Sequence, residues 1–387
     1  MLRLVEGNRL ALLHSGTEYF PALEAAIDGA QREVFLETYI YADDETGRRI
    51  ATALGRAARR GVATHVMIDG FGSKDMPAAM MRQLRDAGVR LLVFRRKISP
   101  LTLQRSRLRR MHRKVAVVDG RIAFVGGINI IDDMHTPGHI PPRYDYAVRI
   151  EGPLVADIRE SSARLLRWVA WASLRERWPV RRDPDPAPAP ARDGNQRAAF
   201  VVRDNVRHRT DIEEAYLDAI EAAREEVLIA NAYFFPGIRF RRALLRAARR
   251  GVQVTLLLQG RVEYALLHYA SRALYGPLLE AGVDIREYHK SFLHTKVAVI
   301  DGHWATVGSS NIDPFSLMLA REANIIVEDR TFARELRMSL HRAMEEGAIS
   351  VPREHWFNQP LRTRLPIWIS YAAVRVLMGV FGYGGQH

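Results

Sequence analysis

The sequence predicts an α/β protein built from two repeated halves, and three observations carry this prediction. The segment MHRKVAVVDGRIAFVGGINI at residues 111–130 returns without a gap as LHTKVAVIDGHWATVGSSNI at residues 293–312. Apolar strands alternate with helices in the same order before each copy, which is typical of α/β layers. A proline-rich stretch separates the two series. An internal duplication therefore sets the architecture.

Strands and helices follow one order in both halves, so each half is expected to form its own sheet of mostly parallel strands covered by helices. Ser15 with Glu18, and Thr210 with Glu213, have the spacing of a capping box at the first helix of each half. The strands are expected at residues 9–14, 34–41, 62–69, 200–203, 227–235 and 252–259. The helices are expected at residues 18–31, 47–60, 77–87, 210–224, 238–250 and 273–281.

The chain is expected to divide into an N-terminal domain (1–178), a linker (179–197), a C-terminal domain (198–350) and a tail (351–387). The linker contains DPDPAPAP, which indicates an extended, solvated connector. A helix at residues 154–178 carries Trp168, Trp171 and Trp178 on one apolar stripe. This stripe packs in the core or between domains, or it faces a membrane.

Composition narrows the class of protein. A chain of 387 residues with 48% hydrophobic residues can bury the cores of two domains. The net charge of +13 predicts an anionic partner, either nucleic acid or an anionic membrane surface. The absence of cysteine excludes disulfides and fits a reducing compartment. The N-terminus lacks a basic segment followed by an apolar one, so no cleaved signal peptide is expected.

Each copy of the repeat places a histidine and a lysine two residues apart on one strand, His112 with Lys114 and His294 with Lys296. Side chains at this spacing share a face of the strand. A nucleophile or base beside a fixed cation is half of a phosphoryl-transfer site, so the two copies supply one site if the halves face each other. A compact ammonium suits one phosphate oxygen better than a guanidinium fork. Lysine is rare in this chain, occurring as Lys74, Lys97, Lys114, Lys290 and Lys296.

Each copy also holds an aspartate, Asp119 or Asp301, at the start of an Asp-Gly turn. Both belong to the repeated motif and are candidate catalytic residues, but their place at a tight turn favours a structural role. A metal site at the His and Asp residues is an alternative. The lysine between the candidate ligands repels a cation, and the chain has no cysteine. We therefore expect neither a metal ion nor an organic cofactor.

The two segments have the HxKxxxxD pattern, and the chain resembles the phospholipase D superfamily. It is similar to the bacterial cardiolipin synthases of the B type in particular, through VFLETYIYADDETG, RRGVATHVMIDGFGS and DYAVRIEGP. The resemblance covers nearly the whole chain except the linker and the last residues. It implies two phospholipase D-like α/β/α sandwich domains with the active site at their interface.

The resemblance also implies a reaction through a covalent phosphohistidine. One histidine attacks phosphorus, and the other protonates the departing oxygen and then deprotonates the incoming alcohol. The family precedent makes His112 the nucleophile and His294 the acid and base, although the sequence alone leaves this order open. The phosphoryl oxygens are expected to be held by two lysines and two asparagines, Lys114, Lys296, Asn129 and Asn311.

In related enzymes an acidic residue beyond each motif orients the histidine of the opposite half. The candidates in this chain are Asp145 in RYDYAV and Glu322 in REANII. We therefore expect Glu322 near His112 and Asp145 near His294. This crossed arrangement would make the two halves depend on each other for one complete site.

Two stretches favour lipid over nucleic acid. Residues 101–111 are amphipathic and basic, and can meet anionic headgroups, with a solvated loop or a nucleic-acid patch as alternatives; their arginines are Arg105, Arg107, Arg109 and Arg110. Residues 365–384 are apolar, but Pro366 and Arg375 argue against a simple transmembrane helix. With the basic run at 353–364 ahead of it, an interfacial anchor is favoured over a core-packing helix.

The resemblance implies an enzyme that makes cardiolipin from two phosphatidylglycerols and releases glycerol. A phospholipase D-type hydrolase or another headgroup-exchanging phosphatidyltransferase is the alternative, followed by a nuclease of the same superfamily and an inactive membrane scaffold. The expected partners are phosphatidylglycerol and a membrane surface, with no nucleic acid. The expected location is the bacterial inner membrane, with the protein peripheral or monotopic on the cytoplasmic side. The sequence leaves open the acceptor, the acyl chains and the oligomeric state.

Overall fold

The computed structural model describes residues 2–95, 109–134, 136, 140–172, 194–204, 207–262, 265–313 and 320–380. The strands of the first half are β1 (Val5–His14), β2 (Glu33–Thr38), β3 (Ala63–Asp69), β4 (Arg90–Phe94), β5 (Arg110–Met111), β6 (Lys114–Val118), β7 (Ile122–Gly126) and β8 (Tyr146–Glu151). Its helices are α1 (Ser15–Gly29), α2 (Glu45–Arg59), α3 (Ala78–Asp86) and α4 (Leu154–Ala172).

The second half repeats this order and adds a C-terminal helical segment. Its strands are β9 (Gln196–Arg203), β10 (Glu226–Asn231), β11 (Gln253–Gln259), β12 (Asp284–Tyr288), β13 (Lys296–Ile300), β14 (Trp304–Gly308), β15 (Ala320–Glu328) and β16 (Ala348–Ser350). Its helices are α5 (Asp211–Ala222), α6 (Ile238–Arg249), α7 (Ala265–Arg272), α8 (Tyr275–Glu280), α9 (Arg330–Gly347), α10 (Arg353–Phe357) and α11 (Leu361–Val380).

One continuous mixed sheet joins the two halves, which corrects the expectation of two separate and mostly parallel sheets. In the described part of the chain its order is β16-β12-β11-β10-β13-β14-β15-β9-β1-β8-β7-β6-β2-β3-β4. Strands β2, β3 and β4 are parallel, as are β10, β11 and β12. The Asp-Gly turns make the strands after them antiparallel, and β1 pairs with both β8 and β9. The pairing of β1 with β9 therefore carries the sheet across the boundary between the halves.

Apolar layers lie on both faces of this sheet. Alternate residues of β6 point to opposite faces, so Val115 and Val117 belong to a different cluster from Ala116 and Val118. The first of these clusters lies under α4 and α9 and includes residues of both halves. The others lie under α1 and α2 in the first half and under α5 and α6 in the second. The result is an α/β/α sandwich in which one core is shared between the halves.

The predicted capping boxes are not formed as expected. Ser15 lies inside α1 with a φ of 53°, and the N-cap is His14. Glu18 accepts a hydrogen bond from the backbone N–H of His14 at 2.8 Å. The acidic residue therefore caps the N-terminus of the helix without help from a serine side chain. Thr210 is the N-cap of α5, but its hydroxyl donates to the carboxylate of Glu214 at 2.8 Å. The threonine therefore pairs with a side chain instead of the backbone.

The tryptophan stripe of α4 makes a contact between the halves. The Arg321 guanidinium of the second half lies 4.8 Å from the centre of the Trp168 ring, a cation–π distance. Trp171 remains 78% exposed. Other residues of the predicted stripe, linker and basic segment lie outside the described residues: Trp178, 179–193, Arg105 and Arg107.

Helix α11 has one packed side and one exposed side. Val374 and Met378 are buried in a small cluster with Ala270 of α7 and with Leu274, which follows α7. The exposed apolar side chains of α11 are Leu361, Leu365, Trp368, Ile369, Val376 and Leu377. Among the described residues, no helix is both long and apolar enough to span a bilayer. The tail therefore combines a core-packing face with an unburied apolar face.

Both Asp-Gly turns hold two residues at positive φ. The φ angles are 53° and 64° at Asp119 and Gly120, and 48° and 61° at Asp301 and Gly302. Such turns match the twist of a hairpin. Each aspartate also ties its turn to the start of a neighbouring strand. The carboxylate of Asp119 accepts three backbone hydrogen bonds at 2.8–3.0 Å and that of Asp301 accepts three at 2.9 Å; the donors are Gln31, Arg32, Glu33, Arg224, Glu225 and Glu226.

Asp301→Ala is expected to lower the free energy of unfolding by about 1–3 kcal/mol at neutral pH, because three backbone donors lose a charged acceptor. Burial alone would raise the pKa of Asp301, but the three hydrogen bonds hold it below its ordinary value. This stabilisation is present above the pKa of the unfolded chain and is lost as pH falls through the lower folded pKa. Urea unfolding of Asp301→Ala and wild type at pH about 7 and about 3 measures both effects.

The matched control for this stability prediction is Asp284→Ala. Asp284 begins β12 and pairs with Arg286 on the protein surface, so its loss is expected to cost less than about 0.5 kcal/mol. Equal losses in the two variants, or a loss in Asp301→Ala that does not shrink in acid, would contradict a role in holding the backbone.

Candidate active site

Both motif histidines lie at the boundary between the halves. The backbone N–H of His112 donates to the carbonyl of Arg321 in the second half at 2.9 Å. The backbone N–H of His294 donates to the carbonyl of Tyr144 in the first half at 2.9 Å. Backbone hydrogen bonds from the opposite half thus hold each motif histidine in place, in addition to its side-chain contacts.

The side chains repeat this crossing. Nδ1 of His112 lies 3.1 Å from Oε2 of Glu322, and Nδ1 of His294 lies 2.7 Å from Oδ2 of Asp145. Both expected pairs are therefore present. A carboxylate at Nδ1 holds the proton on that nitrogen and leaves the Nε2 lone pair available in the neutral ring. Each of these hydrogen bonds crosses the interface between the halves, so both imidazoles are oriented in the same way at one interface.

The two carboxylates are held by different contacts, which involve residues that the sequence did not single out. Ser309 donates its hydroxyl to Oε2 of Glu322 at 2.5 Å. The repeat places Gly127 opposite Ser309, and a Cβ at Gly127 would lie 2.3 Å from Oδ1 of Asp145. Asp145 occupies that space and accepts from the Tyr146 N–H at 2.8 Å. The difference between GGIN and GSSN in the two copies was the signal that could have revealed this.

The motif lysines are buried in the same region. Lys114 is 3% exposed and Lys296 is fully buried. Each ammonium donates to the carbonyl of the histidine two residues before it, at 2.6 Å for Lys114. The Lys114 ammonium also lies 5.4 Å from the centre of the Tyr39 ring. Two desolvated cations beside two imidazoles form a site suited to an anion.

Asn129 and Asn311 follow the second strand of each motif hairpin, at the same end of the hairpin as the motif lysine. Oδ1 of Asn129 accepts from the Ile40 N–H at 3.0 Å, which leaves the amide N–H groups of Asn129 as donors. Asn311 is buried at the equivalent position. The two lysines and two asparagines of the expected set are therefore buried at corresponding positions of the two halves.

Burial shifts the pKa values of the charged side chains in this site. It lowers the pKa of Lys114 to about 7, with Glu322 opposing and Lys296 adding to the effect. Burial also lowers the pKa of His112, and it lowers that of His294 well below the ordinary value, where Lys296 and Lys114 add to it. Burial raises the pKa of Asp145 to about 6. A bound anion would offset the ammonium charges and restore protons to this cluster.

A family model described as cardiolipin synthase, PLD-like domain, matches residues 23–156 and 216–344, together more than half of the chain. The chain belongs to this family. It is similar to cardiolipin synthase B of Salmonella typhimurium strain LT2, with 44% identity over 358 residues, 91% of this chain and 86% of that protein. It is also similar to cardiolipin synthase B of Escherichia coli strain K12, with 42% identity over 359 residues and the same shares.

Among solved structures, phosphatidylserine synthase of Haemophilus influenzae Rd KW20 has the same fold. The TM-score is 0.70 with 12% identity, and the match covers 99% of this chain and 96% of that one. An identity this low supports the fold alone. The predicted superfamily and the predicted pair of α/β domains are confirmed by the family match and this structural similarity.

The family motif includes Asp119 and Asp301, but the structure places neither beside the histidines. Each lies beyond the far end of β6 or β13, about 16 Å along the strand from the motif lysine. Their carboxylates accept backbone hydrogen bonds there. Their inclusion among the catalytic residues is therefore corrected to the structural role. Within the described residues, no three His, Asp or Glu side chains are placed to hold a metal ion.

The low pKa of Lys114 predicts how this PLD-like site binds a phosphodiester at different pH. The ammonium is charged below about 7 and loses its proton above. A short dialkyl phosphate keeps one negative charge throughout this range, so its Kd is expected to rise by up to about tenfold per pH unit above 7. Calorimetric titrations between about pH 6 and pH 9 measure this.

Lys114→Met should weaken binding and flatten the pH profile of the dialkyl phosphate. Lys290→Met is the control, because Lys290 pairs with Glu346 on the surface and should leave the profile unchanged. A wild-type Kd that does not vary across this range would contradict an ammonium at Lys114 that loses its proton near pH 7 on binding the phosphate.

Proposed function

We propose that this chain is a phosphatidyltransferase that makes cardiolipin from two phosphatidylglycerols and releases glycerol. The observation that carries the proposal is the crossed pair of histidine–carboxylate hydrogen bonds, His112 with Glu322 and His294 with Asp145. Each half supplies the residue that orients the imidazole of the other, so one site with two histidines results. The similarity to cardiolipin synthase B proteins supports the choice of substrate.

In the first step Nε2 of His112 attacks phosphorus of the donor phosphatidylglycerol. The bond from phosphorus to the glycerol oxygen breaks, and a P–N bond forms. Glu322 holds the proton on Nδ1 of His112 and stabilises the positive charge that develops on the ring. His294 gives its Nε2 proton to the departing glycerol oxygen. Glycerol leaves, and a phosphatidyl group remains on His112.

In the second step a hydroxyl of another phosphatidylglycerol gives its proton to His294 and attacks phosphorus. The P–N bond breaks, cardiolipin leaves, and His112 returns to its neutral form. Lys114 and Lys296 stabilise the charge on the phosphoryl oxygens in both transition states, with the amides of Asn129 and Asn311. No redox change or additional reactant is required.

His294 must carry a proton when glycerol leaves, although burial and two ammonium groups lower its pKa in the free enzyme. The phosphodiester anion of the donor lies between these cations and opposes their effect. The proton that the leaving group needs is therefore taken up together with the substrate. This coupling keeps the imidazole neutral until a phosphodiester is present.

The test uses purified enzyme with phosphatidylglycerol vesicles and, separately, with single-stranded DNA. Equal amounts of released glycerol and cardiolipin are expected, and the DNA should stay intact. Phosphatidic acid without cardiolipin would favour a hydrolase, the second candidate, which needs only water in the second step. DNA cleavage without lipid turnover would overturn the proposal.

We also propose that the protein is peripheral or monotopic on the cytoplasmic face of a bacterial inner membrane, with α11 at the bilayer surface. The apolar side of α11 is exposed, and Arg362 and Arg364 lie in its first turn, an arrangement suited to an anionic interface. Ile369→Glu should lower co-sedimentation with phosphatidylglycerol vesicles. Met338→Glu changes an exposed apolar residue of α9 and is the control. Equal binding of both variants would contradict this placement.

A further inference from the structure

The two histidines have different neighbours in the strand loops beside them. The Tyr39 ring packs edge-on against the His112 ring, with 4.8 Å between the centres. The registers of β2 on β6 and of β10 on β13 make Ala232 the equivalent of Tyr39. The Ala232 N–H donates to the carbonyl of Thr295, next to His294, at 2.9 Å. The second half therefore has only the methyl group of Ala232 at the position of the Tyr39 ring, and the His294 ring instead stacks on Phe292 with 6.0 Å between the centres.

A small cavity opens at this position. Its volume is about 30 Å³, and it is bounded by the loop after β10, the end of β11 and helices α7 and α8. Ala232, Gln259, His268 and Ser271 are among its lining residues. One water needs about 10–15 Å³ of such volume. The cavity therefore has room for about two hydroxyl groups and not for a whole lipid headgroup.

Gln259 is the unusual residue of this cavity. It is 7% exposed, and neither Oε1 nor Nε2 of its amide has a hydrogen-bond partner among the described residues. Asp69 is its equivalent at the end of β3, and its carboxylate accepts from the N–H groups of Phe71, Gly72 and Met111 at 2.8–3.1 Å. Buried polar groups are rarely left without partners. The contrast indicates that the Gln259 amide is kept for a ligand.

The lining suits a neutral hydroxyl compound. An amide offers both a donor and an acceptor, and each hydroxyl needs both. His268 is uncharged at neutral pH, since burial lowers its pKa to about 4. Ser271 donates to the carbonyl of Leu267 at 2.8 Å and keeps its oxygen as an acceptor. Arg261 also lines the cavity and suits the phosphate that an acceptor lipid carries beside its hydroxyls.

The cavity also lies next to the part of the molecule that exposes apolar side chains. Ala270 of its wall α7 and Leu274, which follows α7, pack against Val374 and Met378 of α11. The cavity and the exposed apolar side of α11 are therefore joined through α7.

We propose that Gln259, in the space left by Ala232, binds the hydroxyl group of the acceptor alcohol that does not react, and so positions the neighbouring hydroxyl beside His294. The inference rests on the proposed transfer reaction and adds to it the residue that selects glycerol-bearing acceptors. Gln259 is a positioning residue, because proton transfer and attack on phosphorus belong to the histidines. The acceptor alcohol therefore binds on the side of the site that holds Ala232 and His294.

The test compares two soluble acceptors, glycerol and 1-propanol, with phosphatidylglycerol vesicles as the donor. Gln259→Leu is expected to raise the KM for glycerol about tenfold, while transfer to 1-propanol and formation of the phosphatidyl-enzyme stay unchanged. Gln253→Leu is the control, because it changes an exposed glutamine at the other end of β11. Ala232→Tyr, which copies the first half, should lower transfer to both alcohols more than it lowers hydrolysis.

A folded Gln259→Leu enzyme with the wild-type preference for glycerol would overturn the inference, and so would an equal loss with both alcohols. Failure of the proposed function looks different. In that case the wild-type enzyme itself would form no lipid product with either alcohol or with phosphatidylglycerol, and both proposals would be rejected together.

Discussion

His112→Ala is expected to abolish the phosphatidyl-enzyme and to lower cardiolipin formation by at least about 10⁴-fold, because no other group replaces the attacking nitrogen. His294→Ala should lower the rate by about 10²–10⁴-fold and still form the covalent species. Without a base for the acceptor hydroxyl, that species should accumulate. Fluorescent phosphatidylglycerol and a denaturing gel run in alkali, where phosphohistidine survives, show which variant carries the label.

His303→Ala is the control for this pair. His303 belongs to the second repeat but lies exposed in its turn, so the variant should keep wild-type activity. A labelled His112→Ala protein together with an unlabelled His294→Ala protein would reverse the two roles. Label on neither variant, with activity lost in both, would argue against any covalent intermediate.

The sequence alone could predict that each motif histidine lies beside a lysine, because the motif is short and local. His112 and Lys114 share a strand face through spacing alone, and the duplication supplied their counterparts. The crossed partners Asp145 and Glu322 could be named only through the family resemblance, since they lie far from the histidines along the chain. Their hydrogen bonds need the two halves to meet, which no periodicity in the sequence specifies.

What the sequence could not predict depends on pairing between distant strands. The antiparallel pairing of β1 with β9 makes one sheet of two expected ones, and nothing in the alternation of elements encodes it. The edge-on contact of Tyr39 with His112 could not be predicted either, because residues 34–41 read as one strand and the chain leaves the strand at Thr38. The same holds for Ala232, because its small size becomes informative only when the strand registers show that it is equivalent to Tyr39.

The repeats are equal in their reacting groups and unequal in the residues around them. Tyr39 packs against the His112 ring, and Ala232 takes its place in the second half. Asp69 is saturated with hydrogen bonds while Gln259 has none among the described residues. A reaction in which one histidine holds the phosphatidyl group and the other handles alcohols needs such a difference, because a symmetric site would accept an alcohol on either side.

Glu322→Gln is the second large effect expected, a loss of about 10³–10⁴-fold in kcat with little change in folding. The amide keeps the shape of the carboxylate, but it no longer holds the Nδ1 proton of His112 or stabilises the positive ring. The hydroxyl of Ser309, which now donates to Glu322 at 2.5 Å, allows the glutamine to turn its oxygen or its nitrogen toward His112. The ring therefore loses the fixed tautomer that leaves Nε2 free to attack.

Single-turnover measurements separate this effect from general damage. Formation of the phosphatidyl-enzyme should slow by the full factor in Glu322→Gln, whereas Asp145→Asn should slow release of the phosphatidyl group to the acceptor as well, because Asp145 orients the base His294. Glu328→Gln, at the other end of β15 and paired with Arg197 on the surface, should match wild type. A Glu322→Gln enzyme within about tenfold of wild type would mean that the crossed carboxylate is not needed, since the loss of a working orienting acid costs far more than that.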